Sequence, residues 1–219
     1  MATSTCIPAS EPDITDPEGP APRPDLREVA LQLRLLLSLG ISCALATVVS
    51  ATGPAVRRAG TVMVLTESGQ AIGFRPEGCL DGAIRDLAAQ VLSTGQDKLE
   101  HLEIDAEAAS YIGLSGRVSL QVHATRMQAG DTAAGNALRH LDSDDARVLL
   151  IGTRGRSGIA VVGHAHTAGT LGWPELPPPV IDDARCLLET PQTAWRSYGP
   201  GGERGGTATQ VWMQPYPRI

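Results

Sequence analysis

The stretch AIGFRPEGCLDGAIRDLAAQVL, residues 71–92, decides how this chain is read. It changes period halfway. Ala71 to Phe74 is the return arm of a hairpin, after a strand at Thr61 to Thr66 and the turn Glu67-Ser-Gly-Gln70. Further on, Leu80, Ala83, Ile84, Leu87, Ala88, Val91 and Leu92 recur at the spacing of one helix face, and Gly95 stops the helix. Between arm and helix stands Gly78-Cys79, a lone cysteine at a strand-to-helix corner.

Working outward, Asp25-Leu-Arg-Glu28 has the form of a capping box. It predicts a helix from Asp25 to about Leu39, stopped by Gly40. Cys43 to Ser50, CALATVVS, is a β-type run, followed by the turn ATGPAVRRAG at 51–60. Arg117 to His123 alternates, with Val118, Leu120 and Val122 on one face and Ser119, Gln121 and His123 on the other. The second half repeats this plan about a hundred residues on, at the level of pattern rather than identity. It offers a helix at 131–141, strands at Arg147 to Ile151 and Ile159 to Gly163 around the turn GTRGRSG, a helix at Val180 to Glu189, and a strand at Thr207 to Met213. The expected class is α+β. It would be a mixed β-sheet core with flanking helices, built from two loosely repeated strand-turn-strand-helix-strand halves. The expected division is a disordered, proline-rich acidic tail at 1–24, a first half at 25–125, and a second half at 126–219 packing on the same core.

Composition bounds the function. Aromatics are 3% of 219 residues against 42% apolar, so the core is aliphatic. A net charge of −6 and a pI near 5.3 argue against nucleic-acid binding. Leu31 to Val49 is long enough to span a membrane, but Gln32, Arg34 and Gly40 break it into a helix and a buried strand, so no membrane segment is expected. Cys6, Cys43, Cys79 and Cys186 lie far apart without zinc-ligand spacing. With no secretory signal pattern, the expectation is a cytoplasmic protein with reduced thiols, Cys43 and Cys186 packing in the core.

Other motifs are weaker. Gly152, Gly155 and Gly158 have GxxGxxG spacing and are followed by a strand, which predicts a turn rather than a dinucleotide site. His164 and His166 share a strand face without a third ligand and are expected to be surface histidines, while His101 and His123 fall on the polar sides of strands and need no function.

The corner at Cys79 is the candidate site. A helix N-terminus has free N–H groups and a positive dipole end, which favour a thiolate and seat an anion. Gly78 leaves room for a ligand beside the backbone. Arg57, Arg58 and Arg75 bring positive charge, and Asp81 either binds a ligand donor or caps the helix. On the residues alone, a half-buried structural corner cysteine is an equal alternative.

The same residues resemble the XdhC/CoxI family, accessory proteins of molybdenum hydroxylases such as xanthine dehydrogenase. Thr47-Val48-Val49, Gly53, Arg57, Gly60, Gly69, Gly73, Gly78-Cys79 and the acid Asp81 stand in the family's order over residues 27–100. Pro54, Val56 and Glu77 depart from it. A second family signature, Cys-Gly-Gly, is replaced by Ile112-Gly-Leu-Ser-Gly-Arg117, and the family's C-terminal Rossmann domain has no counterpart in these residues. The resemblance implies a cofactor chaperone rather than an enzyme. It would bind molybdenum cofactor (molybdopterin) transiently while a cysteine desulfurase supplies sulfur, then pass it to a molybdenum hydroxylase subunit. Cys79 would contact molybdenum or its sulfur; Gly78, Asp81, Arg57, Gly53 and Gly60 would complete the site; and the protein would form a homodimer. Two rival readings are a non-catalytic interaction module of the same fold, and a thiol redox protein using Cys79.

Overall fold

A computed structural model describes residues 26–53, 58–73, 79–111, 115–141, 144–189 and 192–218. They fall into two compact units, divided between Gly130 and Asp131.

The first unit opens with helix α1 (Leu26–Ser38), which buries Leu26, Val29, Ala30, Leu33 and Leu37. The capping residue expected for it, Asp25, lies outside the described residues. Strands β1 (Cys43–Thr52), β2 (Val62–Thr66) and β3 (Ala71–Gly73) follow, then α2 (Cys79–Thr94), β4 (Lys98–Ile104), the short α3 (Ala106–Tyr111) and β5 (Val118–Met127). The sheet is antiparallel throughout, in the order β3-β2-β1-β5-β4. The helical spacing read from the sequence does what it predicts. Ile84, Leu87, Ala88 and Val91 of α2 are buried against Ala44, Ala46, Val48, Met63, Leu65, Leu120, Val122 and Ala124 of the sheet. Burying each of the larger of these side chains stabilises the fold by about 1.5–3 kcal/mol.

The second unit is built the same way. Helix α4 (Thr132–Leu141) precedes β6 (Arg147–Arg154), β7 (Gly158–Val162) and β8 (Thr167–Thr170). Helix α5 (Pro178–Cys186), a 3-10 turn at Leu187–Glu189, β9 (Ala194–Tyr198) and β10 (Thr209–Tyr216) complete it. Its sheet runs β8-β7-β6-β10-β9, the order of the first sheet strand for strand. Val148, Leu150, Ala160, Val162, Val211 and Met213 meet Val180, Ala184 and Leu187 in its core. The α+β class and the repeat read from the sequence are therefore present, as two antiparallel five-stranded sheets.

The repeat reaches individual residues. The β1–β5 register slips between Val48 and Ser50, leaving Val49 as a bulge; the β6–β10 register slips where Thr153 is passed over. Beyond each bulge a glycine takes a positive φ, Gly53 at +83° and Gly155 at +81°. A side chain on Gly53 would strike the Arg117 carbonyl, and one on Gly155 the Ala208 carbonyl, each at the entry to its unit's last strand. A bulge increases local twist, and glycine lets the turn close on the neighbouring backbone.

The sequence expectations need three corrections. The strand side read as polar at His123 is buried, with His123 only 2% exposed. His164 and His166 lie in the connection between β7 and β8, not on a shared strand face. Cys186 is disulfide-bonded, so it is not a reduced core thiol. Cys43 is a free, fully buried thiol. The turn read at Gly152 to Gly158 narrows to Gly155 to Ser157, since β6 runs to Arg154 and β7 begins at Gly158. No helix among the described residues is long and apolar enough to cross a membrane.

Candidate functional site

Helix α2 begins at Cys79, one residue before the start that the apolar spacing marks. Cys79 is thus the first helical residue, where backbone N–H groups have no partner within the helix. Its side chain, and all of Gly78, Arg57 and Arg75, lie outside the described residues. Asp81 is in the first turn and is 6% exposed, so its carboxylate is held inside the corner rather than in solvent.

Two of the predicted glycines flank one connection. It runs from Gly53, at the end of β1, to Thr61 before β2. Gly60 has φ +95° and is buried, and its N–H donates to the Val48 carbonyl at 2.8 Å. Thr61 closes the other side: its carbonyl accepts from the Val48 N–H at 2.9 Å and its own N–H donates to Arg58 at 3.1 Å. This pins the return of the loop onto the strand at the bulge. Arg58, in the same connection, is exposed. Helix α2 lies across β1, β2 and β5, so one sheet carries both the helix and the glycine-flanked connection.

The second unit has the same corner with different residues, and there it is filled. Its β6–β7 turn spans only Gly155 to Ser157. Arg156 lies 5.0 Å from the centre of the Trp173 ring and donates to the Gly172 carbonyl; Trp173 Nε1 donates to the Pro200 carbonyl at 2.9 Å. Helix α5 starts at Pro178, behind Pro177. Below it, the Asp183 carboxylate accepts from the Tyr198 hydroxyl at 2.9 Å and from Arg204 Nε at 2.8 Å. Burial and the Asp183 charge push the Tyr198 hydroxyl well above its usual range, so it remains a donor.

Sequence reasoning missed a polar group on the face of the first sheet opposite the α2 core. Thr47 and His123 are cross-strand partners, 1% and 2% exposed, and neither Thr47 Oγ1 nor His123 Nδ1 has a hydrogen-bond partner among the described residues. Burial pushes the His123 imidazole down to about 4, with Asp97 opposing the shift. Asp97 Oδ1 accepts from Thr125 Oγ1 at 2.8 Å. Alternation marked His123 as polar-facing but carried no sign that this face is covered too. Among the described residues no three His, Cys, Asp or Glu side chains are grouped to hold a metal ion.

Comparison with known proteins bears on this corner. The model of the XdhC and CoxI family matches residues 36–103, from the last turn of α1 into β4. All six predicted site residues, Gly53, Arg57, Gly60, Gly78, Cys79 and Asp81, fall inside that match. Among solved structures, the chain is similar in fold to a xanthine dehydrogenase from Bacillus halodurans, with a TM-score of 0.51 and 14% identity over 85% of this chain and 52% of that one. The chain therefore spans about half the length of that protein. No curated protein matches.

Proposed function

Because residues 36–103 carry the XdhC and CoxI family segment, we propose that this chain is an accessory protein that binds molybdenum cofactor and assists maturation of a molybdenum hydroxylase of the xanthine dehydrogenase type. The observation that carries the reading is an internal one. The fold builds the same strand-to-helix corner twice, once starting at Cys79 and once at Pro178 behind Pro177. The corner therefore does not require a cysteine. In the second unit it is also closed by Trp173 and Arg156, whereas the first unit has the longer connection from Gly53 to Thr61. Cysteine and longer loop occur together, in the unit that matches the family.

The donor set fits such a ligand. The N–H groups opening α2, with Arg57 and Arg58, suit a phosphate. The buried Asp81 carboxylate is an acceptor for the amino and ring N–H groups of a pterin. Gly53 and Gly60 keep the β1–β2 connection close to the backbone without a side chain in the way. A thiolate at Cys79, favoured by the helix end, is a soft ligand for molybdenum or its sulfur. The bound group would supply the metal and the dithiolene sulfur; the chain orients and protects them and turns over no substrate. The partners in this reading are a molybdenum hydroxylase subunit and a cysteine desulfurase, in the cytoplasm.

The test is retention. Wild type and Cys79→Ala are purified anaerobically under reducing conditions, loaded with molybdenum cofactor, and assayed for bound pterin after gel filtration. The expected result is near-stoichiometric pterin on the wild type and at least a tenfold loss in the variant. Equal retention by both proteins removes Cys79 from the site. Retention by neither ends the cofactor reading and turns attention to protein partners.

A further inference from the structure

The proposed cofactor site leaves a buried polar pair of the first unit unused. Thr47 of β1 and His123 of β5 stand directly opposite each other and are 1% and 2% exposed. Neither Thr47 Oγ1 nor His123 Nδ1 has a hydrogen-bond partner among the described residues, so they do not bond each other either. Buried polar atoms in folded proteins are nearly always paired, because an unpaired one keeps the full cost of its desolvation. Here two such atoms are set face to face from neighbouring strands. Their neighbours on the same side of the sheet do not satisfy them. Val62 lies beside Thr47 on β2, Leu99 beside His123 on β4, and Leu45 and Thr125 one step along the central pair. Thr125 is the polar member of these, and its hydroxyl donates to Asp97.

The second unit provides the control. Thr47 lies two residues before the bulged Val49; two residues before Thr153, the corresponding cross-strand pair is Ile151 and Trp212. Both of these are buried. The fold therefore does not need polar side chains at this place. Trp212 Nε1 also has no partner, but Ile151 opposite it offers no second polar atom to share one with. Threonine and histidine are also smaller than isoleucine and tryptophan, so the first unit sets less side chain at the same point of the fold. We propose that Thr47 and His123 hold one buried water molecule, bound between Thr47 Oγ1 and His123 Nδ1. A water both donates and accepts, so it completes a hydroxyl and a ring nitrogen at once. Burial keeps the imidazole neutral, with one ring nitrogen a donor and the other an acceptor, and a water can meet either. Val48, next to Thr47, accepts from the Gly60 N–H and donates to the Thr61 carbonyl. The bridge thus fastens β1 to β5 beside the point that holds the connection from Gly53 to Thr61. It requires no cofactor and stands or falls separately from the cofactor reading.

The test is a water NOE measured by NMR on the isotope-labelled full chain. The wild type is expected to show an NOE between water and the His123 Hε1 proton, which is bonded to the carbon beside Nδ1, with the sign of a water that tumbles with the protein. Thr47→Val keeps the shape of the side chain but removes the hydroxyl, and is expected to lose this signal with an unchanged far-UV spectrum. Thr47→Ser restores the hydroxyl and is expected to keep it. A wild type without the signal overturns the proposal. A signal that survives in folded Thr47→Val also overturns it, by assigning the effect to exchange of the imidazole's own N–H. Loss of the signal in folded Thr47→Ser overturns it too, since the hydroxyl is still there. If Thr47→Val fails to fold, a crystal structure of the wild type decides. A water bonded to both atoms is then expected, and a direct bond between them, or another side chain at Nδ1, overturns the proposal.

Discussion

Single residues show which glycines are indispensable and which only convenient. Gly53, Gly155 and Gly69 all have positive φ, but only the first two face a backbone carbonyl; the nearest group to a side chain on Gly69 is Arg85 at 3.8 Å. Gly53→Ala and Gly155→Ala are therefore each expected to lose about 3 kcal/mol, against about 1 kcal/mol for Gly69→Ala, in urea unfolding. His123 gives a pH dependence of defined sign. Its folded value of about 4 lies below the ordinary 6.5, so the unfolded chain takes up the proton first. Stability is full above pH 6.5 and falls as pH drops towards 4, by about 3 kcal/mol for this group. His123→Leu should flatten the unfolding profile across that window. Cys43 is the mirror case. Burial, then Glu67, pushes its thiol up to about 12, so the folded chain protects it and stability declines as pH rises above 9. Alkylation of Cys43 in native buffer should be slow and should track unfolding.

Elements differ in how plainly the sequence declares them. Helix α2 was legible because it buries one face, and the spacing of Ile84, Leu87 and Val91 records that burial. The edge strands β4 and β9 were not. Lys98–Ile104 is half exposed and carries the Lys98–Glu100 pair at 2.8 Å, and Ala194–Tyr198 mixes Trp, Arg and Ser, so neither has a clean period to read. Strand β8 contains two glycines or alanines in four residues and pairs by backbone alone as far as sequence can tell. Of the candidate site, the glycines were legible as turn residues. Asp81 was legible as a first-turn acid but its burial was not, because burial depends on how α2 meets the sheet. The Asp183 cluster tests how one element is tied down. Asp183→Ala strands the buried Tyr198 hydroxyl and should cost about 3 kcal/mol, Tyr198→Phe about 1 kcal/mol. Their double variant should cost less than the sum, since both remove the same bond.

At the scale of the whole molecule, the cluster under α2 and the cluster under α5 have no residue in common. Ile84→Val in the first and Val162→Ala in the second should therefore add in equilibrium unfolding, within about 0.5 kcal/mol. The repeat was legible as an order of patterns. Its depth was not, because strand order, bulge and glycine contact all depend on pairings between distant residues, and the sequences of the two halves had drifted apart.

Both sheets set their first and last strands side by side at the centre, β1 against β5 and β6 against β10. That arrangement gives the molecule a history. During synthesis β1 emerges early and waits with one edge open until β5 follows, and β6 later waits for β10. Each interval exposes an apolar strand with unpaired N–H and C=O groups, the condition under which nascent chains join one another. Each of the two sheets is thus closed by the last strand of its unit, and the time between a unit's first and last strand is when a chaperone has most to do.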